Sequence, residues 1–145
     1  MQLAVFLLRL ALGGLLLVTG ALKAGHAPEL AAAIAGFRLL PGDVVAPLAL
    51  VLPYFELLVG LYLVIGLFTS VAAWISVVQF VVYAAAIASA VIRGIPANCG
   101  CFGPNDQATA DWPHVVFDLA LALIAYIIAR FAPGILALDR RLQRK

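Results

Sequence analysis

Charged side chains are scarce in this chain: Lys, Arg, Asp and Glu together make up 11% of its 145 residues, against roughly a quarter in soluble globular proteins. A surface so poor in charge cannot be hydrated over a whole fold, which excludes an ordinary soluble domain. The net charge of +2 is too small to argue for nucleic-acid binding. No Rossmann or P-loop glycine pattern, no HExxH zinc pattern and no internal repeat occurs. Cysteine is nearly missing as well: the chain has two, at 99 and 101. With no second pair, any thiol exchange must be with another molecule.

What is present is apolar. Hydrophobic residues make up 66% of the chain and the mean hydropathy is +1.13, so lipid is the expected solvent for most of its exterior. Four apolar runs, at 3–22, 45–67, 70–92 and 114–133, reach the length of about 20 helical residues that a hydrocarbon core requires. These predict an all-α integral membrane four-helix bundle, a single domain over 1–138 followed by a basic tail at 139–145. The first run lacks a basic leader, carries Arg9 and runs into TGALKAG. It reads as a retained helix and not as a cleaved signal peptide.

The basic residues set the expected orientation. Arg130 closes the fourth run, and Arg140, Arg141, Arg144 and Lys145 come after it, whereas the two long connections hold only Lys23, Arg38 and Arg93. The positive-inside bias then puts both termini in the cytoplasm and both long connections outside. In the first of these, Leu30, Ile34, Phe37 and Leu39 or Leu40 recur at helical spacing, which predicts a short amphipathic helix lying in the membrane interface. Pro41-Gly42 ends it, and Asp43 is expected to cap the second membrane helix. The short helix either fills space between helix ends or lids the second connection.

The second connection, Arg93 to Pro113, gathers the polar residues and contains NCGCFG, Asn98 to Gly103. Its glycines and prolines break regular structure. Asp111-Trp112-Pro113-His114 reads as a helix start, with Asp111 as the cap, Pro113 in the first turn and Trp112 at headgroup level. Cys99 and Cys101 can form a disulfide only through a small ring, and Gly100 is the residue best able to accept the bend. A strained bridge over so short a loop stabilises little and is easily reduced, so the pair suits electron exchange better than stapling. Placed outside, its thiols can be oxidised. A helix N-terminus or an imidazole favours thiolate, which makes His114 a candidate tuning base and Asp118, one turn on, a candidate to hold the ring. The other reading of His114 is an interfacial anchor of the helix end.

Three polar residues lie deeper: Arg9, Glu56 and Gln79. At about 1.5 Å of rise per residue, each falls roughly 10 to 16 Å from the cytoplasmic boundary. A buried carboxylate needs a partner, which predicts an Arg9–Glu56 ion pair with Gln79 attached. That cluster is either a clasp fixing helix register or a proton- or quinone-related site. Gly13-Gly14, Gly20, Gly60 and Gly66 read as close helix contacts.

Taken together, RLALGGLLLVTGALKAG, LPYFELLVGLYLVIG and above all NCGCFG before the last helix resemble the MauE branch of the DoxX-like family, redox-associated four-helix membrane proteins. The resemblance covers nearly the whole chain. It implies thiol and disulfide chemistry at the outer face of the bacterial cytoplasmic membrane, with a thioredoxin-like partner, in the maturation of a disulfide-rich subunit for methylamine utilisation. It marks Cys99 and Cys101 as the redox pair, with Asn98, Gly100, Phe102 and Gly103 around them, and Arg9, Lys23 and Glu56 as recurrent polar positions. Membrane disulfide catalysts of the DsbB and vitamin K epoxide reductase types relay electrons to a quinone through a second cysteine pair. Here electrons bound for a quinone must leave Cys99 and Cys101 directly, or a partner must supply the second dithiol.

Two other functions compete. The thiolates with His114 or His26 would suit a soft metal ion, although only Met1 adds a thioether along any membrane path, and no metal ligand set is assigned. Alternatively, the chain is a non-catalytic membrane subunit that docks a partner, with the cysteines a passive constraint.

Overall fold

The structure, a computed structural model, describes residues 2–98, 108–132 and 137–139. Cys99, Gly100, Cys101, Phe102 and Gly103 lie outside the described residues, as do Arg140, Arg141, Arg144 and Lys145. The described chain is all-helical: α1 (Gln2–Lys23), α2 (Ala27–Gly36), α3 (Gly42–Ile65), α4 (Thr69–Ile92) and α5 (Trp112–Phe131). Four of the five are long and apolar enough to cross a membrane, and the chain is a multi-pass membrane protein. Helix is the outcome that hydrocarbon dictates, because each backbone N–H and C=O must be satisfied within its own segment.

The helix ends reflect local chemistry. Asp111 caps α5, its carboxylate accepting from His114 N at 3.1 Å, with proline in the first turn. α3 stops at Gly66, which takes the left-handed conformation at φ 76° and donates to Tyr62 O at 2.9 Å. Asp43 is not a cap: Pro41 holds that position and Asp43 lies in the first turn. α4 begins after Phe68, also left-handed at φ 48°. Its first N–H groups are satisfied from far along the chain, for Asp139 accepts from Phe68 N and Thr69 N at 2.8 Å each. Position 139, expected to open a basic tail, is therefore an acidic cap folded back on the 66–69 turn, and its own N–H donates to Gly66 O at 3.0 Å.

α1 packs antiparallel on α3 through glycine. A Cβ on Gly60 would lie 2.8 Å from Gly13 O, and one on Gly20 would lie 2.9 Å from Pro53 O. These approaches fix the register of the two helices, since no larger residue lets the backbones come so close. α4 packs on α5, where Ser70 Oγ donates to Ala129 O at 3.3 Å. Leu12, Leu16, Val59, Leu63, Phe80 and Ala125 form the core between the pairs. Large apolar residues such as Leu58, Val78 and Leu123 stay exposed on the outside, as lipid-facing positions do. α2 lies across the ends of α3 and α4, with Leu30 buried and Phe37 against Ala84, Ile87 and Val115.

Candidate functional site

Glu56 is the centre of a buried polar cluster. It is 1% exposed, and Lys23 Nζ donates to both of its oxygens at 2.9 Å. The Tyr83 hydroxyl donates to Glu56 Oε1 at 2.6 Å, and Gln79 Nε2 donates to the same oxygen at 3.2 Å. Gln79 Nε2 also donates to the Tyr83 hydroxyl at 3.2 Å, and the Lys23 ammonium lies 5.8 Å from the Tyr83 ring centre. A buried carboxylate thus receives the charge and the donors that its burial demands.

The partner expected for Glu56 is Arg9, and the structure replaces it with Lys23. Equal depth of the α-carbons is the wrong criterion, because helical side chains lean toward their own N-terminus. On α1 and α3, which run in opposite directions, Lys23 and Glu56 therefore lean toward each other. Arg9 leans the other way, to the far end of the bundle. There it is fully buried, 5.4 Å from the Phe6 ring centre and close enough to Gly66 that a Cβ there would lie 2.6 Å from Arg9 Nη1. Its charge interacts with Asp139. The cluster at Glu56 and the cluster at Arg9 are two sites. Gln79 joins Glu56 as expected. Tyr83 joins it unexpectedly, although it comes one helical turn after Gln79 on the same face.

Asp118 and His114 also part company. The His114 ring pairs through Nδ1 with Asp111 Oδ1 at 2.5 Å, because the imidazole leans back toward the start of α5. That hydrogen bond, together with the one from His114 N, holds the Asp111 carboxyl below the usual carboxylate range. Asp118 is 5% exposed and points inward. It shares with Thr19, Lys23, Glu56 and Tyr83 a small cavity of about 30 Å³, enough for a water molecule or two. Asp118 Oδ2 has no hydrogen-bond partner among the described residues.

Above the cluster the backbone closes the base of the cysteine loop. Asn98 and Thr109 form an antiparallel bridge, and Ala110 N donates to Ala97 O at 2.8 Å. Cys99 comes directly after Asn98 in the chain. The end of α2 is tied to the same region: the Arg93 guanidinium donates to Phe37 O and Arg38 O, and Gly36 stands over Ala97. The short helix thus adjoins the foot of the loop.

The family described as Methylamine utilisation protein MauE matches residues 1–131. A protein named Methylamine utilization protein MauE from Methylorubrum extorquens is 36% identical over 121 residues, covering 82% of this chain and 65% of the relative. Its namesake from Paracoccus denitrificans is 32% identical over 122 residues, covering 83% of this chain and 66% of the relative. That from Methylophilus methylotrophus is 33% identical over 103 residues, and the match spans 54% of its length. The match thus spans 54 to 66% of the length of these relatives. No solved structure matches the chain significantly.

Proposed function

This chain belongs to the MauE family, and from that premise we propose that it is a membrane thiol-disulfide component acting through Cys99 and Cys101 with a thioredoxin-like partner, in an accessory role for methylamine utilisation. The reading places the chain in the bacterial cytoplasmic membrane with both termini cytoplasmic and the cysteine loop periplasmic. Supporting that orientation are the basic residues concentrated after α5. One thiolate of a dithiol attacks the facing disulfide and forms a mixed disulfide, and the second thiolate of that dithiol then displaces the other protein. One protein leaves as the disulfide and the other as the dithiol, so electrons and sulfur atoms balance in either direction between Cys99–Cys101 and the partner.

The observation that carries the reading is the pinned loop base. Asn98 is bridged to Thr109, and Cys99 and Cys101 follow Asn98 directly in the sequence. Anchoring lowers the conformational freedom lost when a partner docks. The test is a Cys101→Ser chain, and separately Cys99→Ser, expressed with its native neighbours and quenched by acid. A mixed disulfide with a thioredoxin-like protein is expected from one of the two. If neither variant is trapped and the cysteines of the unaltered chain never change redox state in cells, the reading fails. Sub-micromolar binding of Cu(I), Zn(II) or Hg(II) by the reduced chain, lost in the double serine variant, would instead move the function to soft-metal binding.

A further inference from the structure

Under α2 lies a cavity of about 300 Å³, room for roughly ten groups the size of a water molecule or a methylene. Leu30 and Ile34 of α2, Leu48 and Leu52 of α3, and Val82 and Ile87 of α4 form much of its wall. Of the described residues two polar ones line it, Lys23 and Tyr83, and both have their polar atoms on Glu56: the Lys23 ammonium donates to both carboxylate oxygens and the Tyr83 hydroxyl to Oε1. What they offer the cavity is a methylene stem and a ring. A polar group placed inside would lose its water and find no partner, so the part of a ligand that fits here is hydrocarbon.

The rim has the opposite chemistry. Arg38 is exposed and stands in the chain between Phe37 and Leu39, both of which line the cavity. Its backbone is left-handed at φ 52°, a conformation that favours glycine, and its guanidinium makes no hydrogen bond or ion pair among the described residues. Arg93, the C-cap of α4, is exposed beside it and donates to Phe37 O, and to Arg38 O at 3.4 Å. With a third bond to Ser89 O, two of its five N–H groups are left over. Neither arginine forms a salt bridge with a described carboxylate. Two positive charges thus stand together at the edge of an apolar cavity.

Charge above hydrocarbon selects an amphiphile. A phosphate is too costly within an apolar span, but Arg38 and Arg93 follow the ends of α2 and α4, at the level of the headgroups. The planar fork of arginine matches phosphate oxygens. Leu39 and Leu40 line the cavity and are also exposed, so a chain attached to that phosphate has an apolar way in beside the arginines. Unbalanced by any described carboxylate, the two charges favour a head of net negative charge over a zwitterionic one, whose cationic group they repel.

We propose that the cavity under α2 binds an anionic phospholipid, with one acyl chain against Leu30, Leu48 and Ile87 and the phosphate held by Arg38 and Arg93. The site does not depend on the thiol-disulfide reading, because neither cysteine takes part in it.

The test is native mass spectrometry of the full chain, delipidated in detergent and titrated with dioleoyl phosphatidylglycerol or dioleoyl phosphatidylcholine. Saturable retention of a single phosphatidylglycerol is expected, with phosphatidylcholine held less tightly. Arg38→Gln should weaken phosphatidylglycerol about fivefold, the effect of one basic residue at a charged membrane surface, and leave phosphatidylcholine unchanged. Ala86 lines the cavity, so Ala86→Phe fills it from α4 and should weaken both lipids, with circular dichroism showing that the helices persist. Arg130→Gln, at the far end of α5, should change neither. Equal retention of the two lipids, or equal losses from Arg38→Gln and Arg130→Gln, overturns the proposal. So does retention unchanged by Arg38→Gln or by a folded Ala86→Phe, and so does a lipid-free dimer, which would make a second copy the occupant. If Ala86→Phe does not fold, the two arginine variants decide. Cysteine trapping is scored separately, so a failed lipid site leaves the thiol reading standing and a failed trap leaves the lipid site.

Discussion

Lys23 Nζ lies 2.9 Å from each carboxylate oxygen of Glu56, and the two side chains are 6% and 1% exposed. One closes α1 and the other sits past the middle of α3, so the pair joins two helices whose outer faces are apolar. Removing either partner leaves a buried charge without its counter-ion.

Lys23→Met is accordingly expected to destabilise the protein by about 3–5 kcal/mol, and Glu56→Met by a similar amount. The double variant should cost clearly less than the sum, because no uncompensated charge remains. Unfolding in mixed micelles, monitored by helical circular dichroism, reads the cycle. Strict additivity would mean that the pair does not act as a unit.

The glycines divide into two kinds. Gly13→Ala or Gly60→Ala places a methyl against backbone, since a Cβ on Gly13 lies 2.9 Å from Gly60 O and one on Gly60 lies 2.8 Å from Gly13 O. Each should cost about 1–3 kcal/mol as α1 and α3 move apart. Gly14, next in sequence to Gly13, has nothing within 4 Å of its Cβ position. Gly14→Ala should be neutral or stabilise by up to about 1 kcal/mol through helix propensity. The same micelle unfolding assay separates them, and equal losses at positions 13 and 14 would refute the assigned α1–α3 contact.

Asp111 predicts a pH response at the start of α5. Its carboxyl is held low by the hydrogen bonds to the His114 ring and backbone. A carboxylate lowered in the folded state contributes stability above its unfolded value of about 3.9, and that contribution is lost as pH falls through the folded value. Carbon-13 titration of the Asp111 carboxyl should give a midpoint below that of an unperturbed Asp. His114→Ala should raise the midpoint. An unchanged midpoint would show that the ring is not the partner.

The start of α5 is legible in sequence because capping is local: Asp111, a proline in the first turn and the apolar run after them lie within one stretch of chain. The short helix at 27–36 is legible for the same reason, its apolar stripe being visible in Leu30, Ile34 and Phe37. The cap of α4 is not. Asp139 reaches Thr69 across 70 positions, and nothing near Thr69 marks it. The partner of Arg9 is hidden likewise, because rise per residue places α-carbons and says nothing about which way a side chain leans.

The sequence by itself determined that the chain is apolar enough to live in lipid, that it crosses as four helices, and that its two thiols sit together before the last one. Hydropathy, chain length and the internal hydrogen bonding of helices suffice for that, since each acts within a single segment. Only the tertiary structure decided which charges meet. The close approach of Gly13 to Gly60 sets how far α1 slides along α3, and that register, with the opposed lean of side chains on antiparallel helices, delivers Lys23 to Glu56 and leaves Arg9 at the other end.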